Sequence, residues 1–293
     1  MIEQDNYNGF AEGDDNPLEN HGFERVPHCG DFPTMPDLVA MLLIILLTQV
    51  VVSLACVALG VPKPQMLSGD AVDIEQFIGS KVIIGQTYAI IYPISMILVF
   101  VALYFYIRFR DGKGRVARAS TRGFSPNAIL GGLVWLIAVQ IVVEPVTQLL
   151  PHAEQNTGQG FWAIVTAVIF APVFEELIFR GLVLEALLRR HRRLVCVVVS
   201  SAIFALVHFQ PDVMLTAFVS GLVLGTIYLH TNSVFSTIIL HSINNAIAYS
   251  LITLDLQDFS YSQILGGSYV YYGVYALSLI FCGLALYQTW RKR

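Results

Sequence analysis

The chain has 293 residues, of which 55% are hydrophobic and only 13% are charged, with a net charge of −4 and a mean hydropathy of +0.64. Soluble domains carry about 25% charged residues, and here the apolar residues form long runs, so we expect lipid to surround most of the chain. This composition argues against a nucleic-acid-binding protein, a secreted disulfide-rich protein and an ordinary cytosolic enzyme. The length suits one bundle of about eight transmembrane helices of about 20 residues each.

Residues 1–36 form the most polar part of the chain. Nine of the 21 acidic residues lie before or at the start of the first apolar run, against a single basic residue, Arg25. An acidic composition with few aromatic residues is typical of disordered segments. We therefore divide the chain into a disordered, acidic cytoplasmic tail, residues 1–36, and a membrane bundle, residues 37–293.

Eight apolar runs predict eight helices, and therefore an all-α, polytopic membrane helix bundle. The fifth and sixth helices are at or below the lower limit of about 17 residues for an untilted span. Pro93 and Pro172 lie inside predicted helices, where each removes a backbone hydrogen bond and favours a kink. The predicted spans are residues 38–59, 82–107, 127–149, 161–188, 194–209, 213–229, 233–253 and 271–289.

The Lys and Arg residues gather in alternate loops of this arrangement. If the amino terminus is cytoplasmic, fourteen of them fall on the cytoplasmic side and only Lys63 and Lys81 on the opposite side. Such an asymmetry is the usual pattern of multi-pass membrane proteins, in which cytoplasmic loops are rich in basic residues. We expect an integral membrane protein with both termini in the cytoplasm.

The fourth predicted span contains three charged residues, Glu175, Glu176 and Arg180. Placing three charges at the centre of a membrane helix costs on the order of 9 kcal/mol before pairing. Glu176 and Arg180 are four residues apart and are predicted to form an ion pair, whereas Glu175 points about 100° away around the helix. This pattern favours a general base beside a structural anchor. A purely structural Glu–Arg pair is the alternative.

Two further pairs of residues are spaced by one helical turn inside predicted spans. Phe204 and His208 share a face near the end of the fifth span, and His241 and Asn245 share a face in the middle of the seventh. Taken alone, an intramembrane His with an Asn is typical of an interhelical hydrogen bond. Two such pairs together with an acidic doublet favour a functional site.

Other polar or small residues in the spans are predicted to be structural. Glu144 and Glu185 lie near span ends, where they can reach a membrane interface. Gly221 and Gly225 form a GxxxG motif, which indicates close helix packing within this bundle rather than dimerisation.

The candidate site residues are of the types that hydrolyse an amide bond with water. A carboxylate can remove a proton from water, a histidine can transfer it, and neutral donors can stabilise the oxyanion. Alternatively, a divalent metal such as zinc could activate the water, held by Glu175, His208, His241 and Asn245. No HExxH motif is present, and the sequence leaves both routes open. The absence of a GxSxG motif and of a membrane aspartate pair argues against serine and aspartyl mechanisms.

The three motifs, in this order, resemble the signature of the CPBP family of intramembrane proteases. This family, also called ABI, includes the type II CAAX prenyl endopeptidases and their bacterial relatives. The resemblance covers residues 160–250 and implies that Glu175 and His208 activate water, while His241 and Asn245 stabilise the transition state. It also implies that Glu176 and Arg180 organise the site. Family members have been described both as metalloproteases and as metal-independent glutamate proteases, so the resemblance implies no definite cofactor.

The resemblance implies an intramembrane endopeptidase that cleaves a membrane-associated protein or peptide. Relatives process prenylated CAAX proteins or are associated with bacteriocin maturation and self-immunity, and nothing in the sequence selects among these substrates. The compact loops resemble those of bacterial members, so we expect a protein of the bacterial inner membrane whose partners are its substrate and the lipid bilayer, without nucleic acid. A non-catalytic immunity or scaffold protein of the same fold is the alternative. A transporter would need a continuous polar path, for which the first, second and eighth spans offer almost no charge.

Overall fold

The protein is described here by a computed structural model that covers residues 32–59, 74–111, 123–151, 158–254, 256 and 259–291. Over these ranges the chain is all-helical and has no β-strand, which confirms the predicted fold class. Most of the predicted acidic tail, residues 1–31, lies outside the described residues. The helices other than those of residues 161–188 are α1 (Met35–Ala58), α2 (Ile74–Asp111), α3 (Pro126–Thr147), α7 (Arg193–Leu206), α8 (Pro211–Thr231), α9 (Val234–Thr253), α10 (Tyr261–Ile264) and α11 (Ser268–Arg291).

The fourth predicted span is one continuous helical segment with two changes of helical geometry. Three α-helical parts alternate with two π-helical parts, in which backbone hydrogen bonds connect residues five apart. These parts are α4 (Phe161–Ile164), π1 (Val165–Phe170), α5 (Ala171–Ile178), π2 (Phe179–Leu184) and α6 (Glu185–Leu188). The acidic doublet lies in α5, and a π-helical part therefore flanks it on each side.

Seven helices in the described ranges are long and apolar enough to cross a membrane. The fifth predicted span, residues 194–209, corresponds to α7, which has only 14 residues. At 1.5 Å per residue, α7 is about 21 Å long, which is shorter than a hydrocarbon core of about 30 Å. The protein is an integral, multi-pass membrane protein, and its helix count is close to the expected eight.

Short capping motifs begin and end the helices that carry the site. Ser233 lies immediately before α9, and its hydroxyl accepts a hydrogen bond from the Ser236 backbone N–H at 3.2 Å. Asn232 ends α8 in the left-handed conformation, with φ 51°. The chain therefore reverses direction between α8 and α9 within two residues, and this tight turn fixes the position of His241 on α9.

Close packing of α8 against α7 depends on the two glycines of the GxxxG motif. A Cβ atom on Gly221 would lie 2.9 Å from the Cβ of Ser201, and one on Gly225 would lie 3.2 Å from a methyl group of Val197. The prediction that this motif packs inside the bundle is confirmed. In the same bundle α5 contacts α2 and α9, while π2 contacts α7, so the three predicted motifs converge.

Candidate active site

Glu176 and Arg180 form a buried ion pair at the centre of the bundle. Their exposed fractions are 0% and 1%, and Arg180 Nη1 donates a hydrogen bond to Glu176 Oε1 at 2.7 Å. Arg180 Nη2 donates to the Gly221 carbonyl at 3.1 Å, and the guanidinium carbon lies 5.1 Å from the Phe204 ring centroid. The predicted ion pair is confirmed. Each charge compensates the other where water is excluded. The contacts of Arg180 with Phe204 and Gly221 also connect the pair to α7 and α8.

His241 connects the two acidic residues. Its Nδ1 lies 2.9 Å from Glu176 Oε1, and since a carboxylate oxygen accepts, Nδ1 carries the proton. Its Nε2 lies 3.7 Å from Glu175 Oε2. That distance is too long for a direct hydrogen bond, and a gap of this size between two polar atoms suits a bridging water. His241 is therefore fixed on one side and faces Glu175 on the other.

Glu175 has a second polar neighbour that sequence analysis did not identify. Tyr92 on α2 donates its hydroxyl proton to Glu175 Oε1 at 2.7 Å. The Glu175 side chain is 14% exposed, whereas that of Glu176 is fully buried. Tyrosine is enriched at membrane interfaces, so its position in the middle of a predicted span is unusual and was a signal in the sequence that Tyr92 has a specific role. Nothing in its spacing, however, links Tyr92 to a residue 83 positions later.

His208 lies just beyond the end of α7 and contacts the site through Phe204. Its Nδ1 donates to the Phe204 carbonyl at 2.8 Å, which leaves Nε2 as the acceptor. The Phe204 ring packs edge-on against His208 and His241, with centroid distances of 4.9 and 6.0 Å. Within the described ranges, His208 forms no hydrogen bond with Glu175. The structure thus places His241, rather than His208, directly beside this carboxylate.

Asn245 is anchored by the unusual backbone of π1. Its Nδ2 donates to the Ala167 carbonyl at 3.0 Å. In π1 the N–H of Ala171 bonds to the Thr166 carbonyl, five residues earlier, so Ala167 would receive its own bond from residue 172. That residue is Pro172, which has no N–H. The proline therefore leaves the Ala167 carbonyl available for Asn245, which explains how α9 is held against this segment.

The predicted site residues are thus connected to different extents. Direct polar contacts join Glu176 to Arg180 and His241, and Glu175 faces His241. His208 is joined through Phe204, and Asn245 through Ala167. No group of three or more His, Cys, Asp or Glu side chains in the described part of the chain is arranged to hold a metal ion. The alternative of a metal held by Glu175, His208, His241 and Asn245 therefore has no support among the described residues.

A small cavity lies one helical turn from the site. Its volume is about 220 Å³, and Tyr88 of α2, Ala167 of π1 and Tyr249 of α9 contribute to its walls. Tyr88 is one turn from Tyr92, and Tyr249 is one turn from Asn245. A larger cavity of about 300 Å³ lies between α3 and α11 and has no titratable residue in its walls. Of these two cavities, the smaller one adjoins the candidate site.

Comparison with known proteins gives a match over the same part of the chain. A family model described as type II CAAX prenyl endopeptidase Rce1-like matches residues 157–247. This segment resembles the Rce1-like family. The Rce1-like region contains all six predicted site residues, and the resemblance to CPBP proteases is confirmed. No curated protein and no solved structure matches the chain. The match supports a CAAX-type intramembrane protease activity in general terms.

Proposed function

We propose that this protein is an intramembrane endopeptidase that cleaves a membrane-associated protein or peptide, with Glu175 as the general base. The observation that carries the proposal is the placement of the Glu175 carboxylate. One oxygen accepts a hydrogen bond from Tyr92, and the other faces the Nε2 atom of His241 across 3.7 Å. A base must be held in position and still leave an oxygen for its substrate, and this arrangement satisfies both needs.

The neighbouring acidic residue is unsuited to be the base. Glu176 is fully buried, and its Oε1 already accepts hydrogen bonds from Arg180 and His241. Protonating such a carboxylate would leave the Arg180 cation without its partner in a medium of low dielectric constant. Glu176 therefore orients His241 and balances the charge of Arg180, while Glu175 exchanges protons.

The reaction can be written with the atoms that these residues provide. A water molecule between Glu175 and His241 donates to Glu175 Oε2 and to His241 Nε2, which directs its lone pair toward the scissile carbonyl. As the water oxygen attacks the carbonyl carbon, its proton passes to Glu175. The C–N bond then breaks, and the leaving amine receives the proton, so the products are a carboxylic acid and an amine.

The two remaining residues can assist in the same step. Asn245 uses one N–H of its amide for Ala167, so its second N–H is available to stabilise the oxyanion. His208 uses Nδ1 for the Phe204 carbonyl, so Nε2 can carry the proton toward the leaving amine. The role of Asn245 is the one that the family resemblance implies, whereas His208 acts here on the leaving amine rather than on the attacking water.

We extend the proposal to cellular location. The compact loops, like those of bacterial members of the family, support an inner-membrane protein of bacterial type. The asymmetry of Lys and Arg supports both termini in the cytoplasm, an orientation that requires an even number of crossings, with α7 and its adjoining residues as the eighth. A single cysteine introduced near either terminus of a variant lacking the native cysteines should react with a membrane-impermeant reagent only after the inner membrane is opened. Labelling of either terminus in intact spheroplasts would contradict this orientation.

The direct test measures cleavage of a tethered peptide by the full-length protein in proteoliposomes. Glu175→Gln and His208→Ala should each lower the cleavage rate by about 100- to 10 000-fold, the usual contribution of a general acid or base. Glu144→Gln is the matched control, since it changes another buried carboxylate and should leave the rate within about threefold. Adding a chelator to the wild type tests the metal-assisted route separately.

The same experiment tests the alternative of a non-catalytic scaffold protein. Such a protein would bind the peptide without cleaving it, and Glu175→Gln would leave binding unchanged. Cleavage by Glu175→Gln at the rate of the wild type would reject Glu175 as the base. To identify the substrate, peptides from cells with the wild type and with the Glu175 variant should be compared by mass spectrometry.

A further inference from the structure

The helix α2 contributes a side chain to the site although it lies outside the Rce1-like region. Tyr92 is the partner of Glu175 Oε1, and α2 packs along α4, π1 and α5. We propose that Tyr92 is a positioning residue that orients the Glu175 carboxylate for water activation. This inference rests on the proposed function, since it concerns the same base. It extends the functional unit from residues 157–247 to include the second transmembrane helix.

The geometry gives the two oxygens of Glu175 different environments. Oε1 accepts the Tyr92 hydroxyl at 2.7 Å, while Oε2 faces His241 Nε2 at 3.7 Å. A carboxylate on a flexible side chain can rotate and exchange its oxygens, and one fixed hydrogen bond prevents this. Tyr92 therefore determines which oxygen faces the position of the water. His241, which lies on α9, provides through Nε2 the second acceptor for this water.

The position of Tyr92 is itself well fixed. Its ring packs against the buried core, and its carbonyl accepts a hydrogen bond from the Ser95 hydroxyl at 2.8 Å. Ser95 is 2% exposed. The Tyr92 hydroxyl has no other hydrogen-bond partner in the described ranges. A hydroxyl whose single partner is the candidate base is suited to orienting that base rather than to connecting helices in general.

Loss of the Tyr92 hydroxyl should let the Glu175 carboxylate rotate more freely, which lowers the rate of the chemical step. The charged or titratable groups that face Glu175 are Tyr92 and His241, and Glu176 and Arg180 lie next to it on its own helical segment.

The test compares Tyr92→Phe with Tyr88→Phe in the full-length protein. Tyr88 lies one turn away on the same helix face and in the wall of the adjoining cavity, so it is a matched control. Tyr92→Phe should lower kcat by about 10- to 100-fold, the range expected for a hydrogen bond to a charged group, and change KM by less than about threefold. Tyr88→Phe should leave both kcat and KM unchanged.

A merely structural Tyr92 would give a different result. A loss of activity that appears as a rise in KM with kcat unchanged would overturn the proposal, and so would a kcat within twofold of the wild type. If Glu175→Gln cleaves as fast as the wild type, the proposed function fails instead.

Infrared difference spectra provide a measurement that needs no activity. The carboxylate band that disappears in Glu175→Gln should shift in Tyr92→Phe and stay in place in Tyr88→Phe. An unshifted band in Tyr92→Phe would overturn the hydrogen bond on which the inference depends.

Discussion

Among the described residues, three glutamates of the membrane bundle receive a hydrogen bond from a tyrosine: Glu144, Glu175 and Glu185. Glu144 and Glu175 differ in the remaining contacts of their carboxylates. At Glu144 every oxygen is occupied: Oε1 accepts from the Gln148 side chain at 2.7 Å and from the Tyr261 backbone at 2.9 Å, and Oε2 accepts from Tyr271. At Glu175 only Oε1 is occupied, by Tyr92, and Oε2 faces His241 across 3.7 Å.

This difference distinguishes a structural carboxylate from a candidate catalytic one. A buried polar atom normally has a hydrogen-bond partner. Because Glu176 Oε2 is also buried without one, an unpartnered oxygen indicates a candidate base only where the side chain is partly exposed, as that of Glu175 is. Glu144 connects α3 to α10 and α11, and its partners belong to those helices. Glu175 leaves an oxygen open beside an imidazole, which is the geometry needed to hold a reacting water. Burial alone would not have separated the two residues, whereas hydrogen-bond satisfaction does.

The largest expected effect concerns the ion pair between Glu176 and Arg180, which lies next to the Glu175 carboxylate. Arg180→Met should lower the free energy of unfolding by about 3 to 5 kcal/mol, because the Glu176 charge would be left buried without its cation. The double variant Glu176→Met with Arg180→Met should be more stable than Arg180→Met alone. Thermal unfolding in detergent micelles measures both. If Arg180→Met unfolds within 1 °C of the wild type, the pair does not stabilise the bundle as described.

The second prediction concerns Tyr271, which donates a hydrogen bond to Glu144 as Tyr92 does to Glu175. Tyr271→Phe should lower the free energy of unfolding by about 1 to 3 kcal/mol, because it leaves a buried Glu144 oxygen without a donor. Cleavage per folded molecule should stay within about twofold, in contrast to Tyr92→Phe. Tyr272→Phe, on an exposed side chain, is the control for both measurements. A large loss of specific activity in Tyr271→Phe would contradict the structural role of Glu144.

The smallest expected effect concerns the backbone that anchors Asn245. Pro172→Ala would restore an N–H that competes with Asn245 for the Ala167 carbonyl, so cleavage should fall by about tenfold, equivalent to about 1.4 kcal/mol of barrier. Stability should change little. A double-mutant cycle with Asn245→Ala is the decisive measurement, since both changes act through one contact. The double variant should match Asn245→Ala, and losses that simply add would show that Pro172 acts by another route.

Much of the architecture could be predicted from the sequence. The run of apolar residues predicts the spans because backbone groups in lipid must bond within a helix. The ion pair between Glu176 and Arg180 follows from a spacing of four residues, and the packing of Gly221 follows from the GxxxG motif. The short α7 was predicted as a span of 16 residues, and the structure shows a helix that ends at Leu206, before His208.

The contacts between helices could not be predicted in the same way. The sequence placed both imidazoles in the site but did not distinguish His241, which faces Glu175, from His208, which packs against Phe204. It indicated that Pro172 removes a hydrogen bond, but not that Asn245 receives the carbonyl thus made available. Side-chain rotation and the crossing of helices decide such contacts, and neither is encoded in local spacing.

The sequence by itself determined that lipid surrounds most of the chain, where the helices lie and which residues are candidates for the site, because hydropathy and helical periodicity act over a few neighbouring positions. Only the tertiary structure decided which oxygen of Glu175 is occupied and which is open. That choice depends on Tyr92, which approaches from a helix 83 residues earlier in the chain. Contacts between distant segments form when the whole bundle minimises its unsatisfied polar groups, so they are properties of the assembled fold.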